Sequence, residues 1–300
     1  MRTWFKRAGI ALLALVLLLL SSLFAASAMG ERKRERVIAV AVEPIALSQD
    51  PAQVAQGRYL YTTRGCADCH GASGTGNTVF DDGGMLVVAP NITPHPGSAV
   101  ARYGQADWVR SIRHGVKPNG QPILIMPSED YNRLTDADLA ALIVYTQQLP
   151  AAPGKQAVIR MPTPVLALYG VGAIEDAAEK IDHTLAPAQP VASGVTIAHG
   201  AYVANACIGC HGPQLSGGKI PGAPPAWPPA ANLTPGPGSA MRAYPEPDLF
   251  MAMMRSGQRP DGSAISRVMP FASLGQMTDT DLRALHAYLR ASAPRETGQR

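Results

Sequence analysis

The chain has 300 residues, with 26 Lys or Arg against 22 Asp or Glu, room for two modest domains with accessories. The excess is local: residues 1–36 hold seven bases and two acids, which leaves 19 bases and 20 acids beyond them. A near-neutral body excludes a nucleic-acid binder that works through a basic face. Scarce aromatics beside 29 Gly and 27 Pro suit short helices and long loops around a prosthetic group, which supplies apolar core that the side chains do not.

In chain order, the first feature is a targeting segment. Arg2, Lys6 and Arg7 precede an uncharged run of 22 residues, Ala8 to Met29, and a bilayer span needs about 20. Ala26-Ser27-Ala28 also fits a signal-peptidase site, so residues 1–30 read as a retained anchor or as a cleaved signal. The run Glu31 to Arg36 mixes bases and acids and leaves the positive-inside comparison undecided. In both cases the body is exported. The expectation is an inner-membrane protein with periplasmic domains, or a soluble periplasmic one after cleavage at Ala28. Residues 31–47 form a juxtamembrane linker. An oxidising compartment favours disulfides, yet the four cysteines stand as two C-x-x-C pairs, each followed at once by His.

The remainder is an internal duplication. Asn91-Ile-Thr-Pro recurs as Asn232-Leu-Thr-Pro, a shift of 141 residues, the same as from Cys66 to Cys207. Asn119-Gly120 answers Asp261-Gly262, Met126-Pro127 answers Met269-Pro270, and Leu134-Thr-Asp-Ala-Asp-Leu139 answers Met277-Thr-Asp-Thr-Asp-Leu282, the shift growing to 143. Each unit spans about 100 residues, a compact domain size: residues 48–150 and 194–296, joined by a Pro/Ala-rich linker, 151–193, that packs along the surface. Short helices are predicted at Asp50–Tyr61 and Val195–Ala204, each with a Gly-x-Tyr (Gly57, Tyr59; Gly200, Tyr202) whose Gly lets another helix approach closely. Further helices are predicted at Asp107–His114 and Asp248–Ser256. The last in each unit is introduced by Thr135-x-x-Asp138 or Thr278-x-x-Asp281, which resemble capping boxes, and carries one buried stripe: Leu139, Leu142, Ile143, and Leu282, Leu285, Leu289.

Cys66-Ala-Asp-Cys69-His70 and Cys207-Ile-Gly-Cys210-His211 are the haem-attachment pattern. Two thiols three positions apart on one turn can meet two vinyl groups of a haem as thioethers, and the adjacent His is delivered to the iron. Zinc is the alternative for two C-x-x-C pairs, but 138 residues separate Cys69 from Cys207 and the duplication puts them in different domains. A thioredoxin-like pair needs a βαβ pattern that is absent. The sixth ligand decides the job, since His/Met ligation favours electron transfer and an open site favours oxygen or peroxide chemistry. Of eleven methionines, only Met126 and Met269 occupy matched positions, 56 and 58 residues after His70 and His211. They are the expected axial ligands against the plainer reading of core filler. His95, His114, His183, His199 and His286 are not repeated and read as surface or structural groups. Arg113 and Arg255 repeat, and read either as propionate partners or as a solvated face. Asn91 and Asn232 read as haem-edge donors or as turn formers.

Together, C-x-x-C-H, Asn-Ile/Leu-Thr-Pro, Arg-x-Gly and Met-Pro followed by Leu/Met-Thr-Asp-x-Asp-Leu resemble the cytochrome c subunits of membrane-bound alcohol and gluconate dehydrogenases. Related subunits serve molybdenum-containing aldehyde and isoquinoline oxidoreductases. The best-known members carry three such motifs and this chain has two. The resemblance implies an all-α class, two tandem class I cytochrome c domains after an N-terminal hydrophobic helix. It implies Cys66, Cys69, His70 and Met126 on one covalently attached haem c, and Cys207, Cys210, His211 and Met269 on a second. It also implies a periplasmic dehydrogenase as electron donor and a quinone, cytochrome or terminal oxidase as acceptor. The competing readings are a dihaem enzyme of peroxidase or thiosulfate dehydrogenase type, an anchored dihaem subunit of a haem-copper oxidase, and a diffusible shuttle.

Overall fold

A computed structural model describes residues 2–224 and 226–299. Helix α1 (Arg2–Glu35) opens the chain. The first repeat then runs α2 (Pro51–Thr63), α3 (Cys66–His70), β1 (Asn77–Asp82), β2 (Met85–Ala89), α4 (Gln105–His114), α5 (Ser128–Tyr131) and α6 (Asp136–Gln147). The linker contributes β3 (Val158–Arg160), α7 (Thr163–Gly170) and α8 (Ala177–Lys180). The second repeat runs α9 (Ile197–Ala204), α10 (Ile208–His211), α11 (Pro247–Ser256), α12 (Phe271–Leu274) and α13 (Asp279–Ala291).

Each repeat is built on one crossing, of its first helix with its last. A β-carbon at Gly57 would lie 2.0 Å from the Ala141 carbonyl oxygen, and one at Gly200 would lie 2.0 Å from that of Ala284. Only glycine permits these approaches. Leu60, Tyr61, Leu139, Leu142 and Ile143 fill the first core, and Val203, Met254, Leu282, Leu285 and Leu289 the second. Starts are set locally: the Asp50 carboxylate accepts from the Ala52 N–H at 2.8 Å and Pro51 opens α2, a position where its missing N–H costs nothing.

The expectation of an all-α chain needs one addition. Helices dominate, but β1, β2 and β3 form an antiparallel sheet in that order. The hairpin turns at Gly83-Gly84, both at positive φ, which a two-residue primed turn demands. Asp82 pairs with Met85 around it, and Leu86 and Val88 pair with Arg160 and Val158 of the linker. The linker is thus structural: it closes a sheet over the first repeat. Among the described residues, the matching stretch of the second repeat pairs only between Gly218 and Ala230. Its prolines, Pro221, Pro224, Pro228 and Pro229, lack the N–H a ladder needs.

The crossing makes a direct prediction. Gly57→Ala or Gly200→Ala should destabilise its domain by roughly 1–3 kcal/mol or more, as overpacking does, while Gly194→Ala, where a β-carbon would meet nothing nearer than 3.8 Å, should cost less. Thermal melts of the three variants check this.

Candidate functional site

The two Cys motifs form short helical turns, α3 and α10, each entered from the first long helix. None of the four cysteines is in a disulfide. Burial, with smaller effects from neighbouring acidic groups, pushes the Cys66 and Cys207 thiols up to about 12, so as thiols they stay neutral. The histidines are aimed by the backbone. His70 Nδ1 lies 2.9 Å from the Pro90 carbonyl oxygen, and His211 Nδ1 lies 2.7 Å from that of Ala231. A carbonyl only accepts, so Nδ1 carries the proton and the lone pair sits on Nε2, the arrangement that orients a metal-ligating imidazole. Pro90 and Ala231 are related by the same 141-residue shift as the cysteines.

Met126 and Met269 are presented by matching turns. Pro127 (φ −79°, ψ 65°) and Pro270 (φ −81°, ψ 65°) sit at the inverse γ-turn minimum. The bonds that close these turns are Ser128 N–H to the Met126 carbonyl at 2.8 Å and Phe271 N–H to that of Met269 at 2.9 Å. Proline's ring fixes that φ, which explains the Met-Pro dipeptide. In the first repeat, Cys66, Cys69, His70 and Met126 line one cavity of about 920 Å³, walled by Val87, Ile159 and other apolar groups. A cavity of this size with a sulfur and an imidazole on its walls, beside two cysteines, fits a flat apolar macrocycle with an octahedral iron. In the second repeat, Cys207, Ile208 and Met269 pack on their own core. Among the described residues no group of three or more His, Cys, Asp or Glu gathers.

The repeats dock on each other by exchanging equivalent contacts. Tyr59 Oη of the first donates to Asp281 Oδ2 of the second at 2.5 Å and accepts from Thr278 N–H at 3.1 Å. Tyr202 of the second donates to Asp138 of the first and accepts from Thr135 N–H at 3.3 Å. Each Thr accepts from its own Asp N–H at 3.1 Å, as a capping box requires. The return bond is replaced, however: the other domain's tyrosine stands between the Asp carboxylate and the Thr N–H. A second exchange involves the Cys motifs. Ser273 Oγ donates to Asp68 Oδ1 at 2.6 Å and Gly209 N–H donates to Asp130 Oδ1 at 2.8 Å. The third residue of each motif is therefore tied to the short helix that follows the other domain's Met-Pro turn. Arg64 adds an asymmetric ion pair to Asp281 at 3.9 Å.

The remaining candidates are structural. Arg113 reaches the Leu134 carbonyl at 3.0 Å and Asp136 at 2.8 Å; Arg255 reaches the Gly275 carbonyl and Asp279. Both hold the start of the last helix, Arg113 from a buried position and Arg255 from an exposed one. Asn91 and Asn232 form Asx turns to Thr93 and Thr234 and donate to the Ala152 and Arg295 carbonyls beyond the last helix. His199 bonds Asp281 at 2.8 Å, as its counterpart Gln56 bonds Asp138 at 3.0 Å. His114 and His183 meet at 3.1 Å, away from the cavity.

Residues 197–293 match a family model described as "Cytochrome c", and residues 52–145 one described as "Cytochrome C oxidase, cbb3-type, subunit III". The chain is 27% identical over 289 residues to the fructose dehydrogenase cytochrome subunit of Gluconobacter japonicus, covering 86% of this chain and 56% of that one. It is 28% identical over 278 residues to the cytochrome c subunit of the alcohol dehydrogenase (quinone) of Gluconacetobacter polyoxogenes, covering 82% and 57%. It is 26% identical over 295 residues to the gluconate 2-dehydrogenase cytochrome c subunit of Pantoea cypripedii, covering 85% and 63%. The chain spans about half the length of the curated relatives it matches first.

Asp130 gives the docking a pH dependence. Burial first, and then Glu129, push its carboxyl up to about 8, with the Gly209 N–H opposing. A folded pKa above the unfolded one means the folded state keeps the proton longer. Its stability contribution therefore falls as pH rises from the ordinary carboxylate range to about 8, with no further change above. Asp130→Asn should flatten that part of the stability profile, measured by denaturant midpoints between pH 5 and 8.

Proposed function

We propose that this chain, whose residues 52–145 and 197–293 match cytochrome family models and which carries covalently bound haem c, is a membrane-anchored electron relay. It passes electrons from a periplasmic dehydrogenase to the respiratory chain. The observation that carries this reading is the repeated pair of presentations, a Cys-motif His oriented by a backbone carbonyl and a methionine set on a Pro γ-turn. Cys66 and Cys69, and Cys207 and Cys210, form the thioethers. His70 and Met126 would ligate one iron, and His211 and Met269 the other. Haem held by His and Met would supply a one-electron iron couple of raised potential.

The side chains then do three things. The cysteines fix each macrocycle covalently, the carbonyls of Pro90 and Ala231 hold the imidazoles, and the sheet with its linker strand excludes water from the first cavity. The reciprocal docking places each attachment turn against the short helix that follows the other domain's Met-Pro turn, so an electron crosses within one molecule. The dehydrogenase partner is supported by the relatives, which are cytochrome subunits of fructose, alcohol and gluconate dehydrogenases. The acceptor is a quinone, a cytochrome or a terminal oxidase; the word quinone in one relative's name supports the first. The oxidase-type family model over residues 52–145 supports a second reading, an oxidase subunit. It covers one repeat, whereas the dehydrogenase subunits align across both.

Helix α1 is the one described helix long and apolar enough to cross a membrane. Retention as an anchor is supported by its packing on the body: Gly30 is buried against Leu166. The domains are residues 48–150 and 194–296, flanking the 151–193 linker.

The test is spectroscopic. The chain matured with c-type haem should contain two haems, show the far-red sulfur-to-ferric-iron band, and not bind carbon monoxide when reduced. Met126→Ala should remove about half of that band and open one iron to carbon monoxide, as loss of one axial ligand requires. Ready carbon monoxide binding by the unaltered protein would contradict the relay and favour a dihaem enzyme.

A further inference from the structure

The linker helix α7 has no part in either haem site, yet it is packed against the base of α1 more closely than ordinary side chains allow. A β-carbon on Gly30 would lie 2.3 Å from the Leu166 carbonyl oxygen, and one on Gly170 would lie 2.1 Å from that of Ala26. Small residues at a helix contact let backbones approach this way, as in membrane helix pairs. Polar bonds lock the junction just beyond the apolar run. Lys33 Nζ pairs with Glu179 at 2.9 Å, donates to the Tyr169 carbonyl at 3.0 Å and lies 4.4 Å over the Tyr169 ring. Arg36 forks onto Asp176 at 2.7 and 2.9 Å, and the Tyr169 hydroxyl donates to the same carboxylate at 2.6 Å. Burial alone would raise the Asp176 carboxyl; the Arg36 and Tyr169 bonds hold it below the usual range.

The outer face of α7 is apolar. Pro164, Leu168 and Val171 recur at i, i+4 and i+7, one stripe of a helix, and all three are exposed, Leu168 at 47% and Val171 at 58%. Its depth follows from α1. The uncharged run Ala8–Met29 has 22 residues, about 33 Å at 1.5 Å each, against a hydrocarbon core of about 30 Å. Ala26 to Gly30, where α7 docks, therefore lie at the edge of that core. On α1 itself Leu20 and Phe24 are exposed as well. Tyr169, Lys33 and Arg36 sit where interfacial aromatic and basic residues belong.

We propose that α7 is an interfacial membrane element: clamped to α1, it lays Pro164, Leu168 and Val171 into the outer face of the bilayer and holds the haem-bearing body down on it. This rests on the reading of α1 as a retained anchor. The body is then a rigid attachment at a fixed height rather than a domain on a tether, which limits the partners it meets to those at the same surface.

The test uses the full-length haem-loaded protein in vesicles of phosphatidylethanolamine and phosphatidylglycerol doped with a phospholipid bearing a diazirine in its acyl chain. After illumination, peptide mapping should find lipid adducts on residues 163–171 as well as on α1. Leu168→Glu with Val171→Glu should lower the adducts on 163–171 about tenfold, since charges at this depth are costly, while α1 stays labelled. Labelling of α1 with none on 163–171 would overturn the proposal, as would labelling there no stronger than at Val195 and Ile197, exposed apolar residues of the second repeat. Protection of 163–171 by a second copy, seen as a dimer in nanodiscs, would overturn it too. A mature N-terminus at Met29 would instead sink the anchor reading, which N-terminal sequencing of the same sample separates.

Discussion

Two tyrosine hydroxyls hold the molecule's arrangement. Tyr59 and Tyr202 each leave their own domain and enter the capping site of the other, donating a hydrogen bond to Asp281 or Asp138 and accepting one from the Thr278 or Thr135 N–H. Burial and the neighbouring carboxylate raise both phenols above their ordinary range, so they remain donors at any working pH. Hydrogen bonds to charged groups contribute about 1.5–3 kcal/mol each. The larger consequence is register. The bonds fix helix starts, those helices cross at Gly57 and Gly200, and the crossings place the Cys motifs. The self-complementary exchange resembles a two-fold interface between subunits, here within one chain.

That docking explains why duplication serves function. Asp68 and Gly209, inside the two Cys motifs, bond to Ser273 and Asp130, which follow Met269 and Met126. Each attachment turn is thus held against the Met-Pro loop of the other domain. The two domains differ where symmetry is not needed. The first cavity is closed by a sheet that borrows a linker strand, whereas the second has a proline-rich stretch. Arg64 faces Asp281 with no counterpart, since Asn205 occupies the matching position.

Much of this was legible in the sequence. The motif spacing, the 141-residue shift and the paired Met-Pro dipeptides carry the haem chemistry because covalent attachment and axial ligation demand fixed residue types. Gly57 and Gly200 were readable as close approaches for the same reason. The docking was not. Tyr59 and Tyr202 announce nothing by spacing, because their partners lie 222 and 64 residues away. The repeat of Gly-x-Tyr was the available signal, and it points to a role without naming a partner. Asp-Asp-Gly-Gly-Met is a hairpin signal that the helical pattern around it obscured. For Arg113 and Arg255 the repeat did not name the partners, because the carbonyls and carboxylates that hold them lie about 20 residues downstream.

The central claim is that two haems communicate within one molecule through this docking. Its most direct test is electron exchange in the half-reduced protein, followed as magnetisation exchange between haem-methyl proton resonances. The account predicts exchange that is independent of protein concentration and slowed in the Tyr59→Phe/Tyr202→Phe double variant, with the fully oxidised and fully reduced spectra unchanged. Exchange that scales with protein concentration in the unaltered protein would mean that the haems communicate only by collision, and would contradict it.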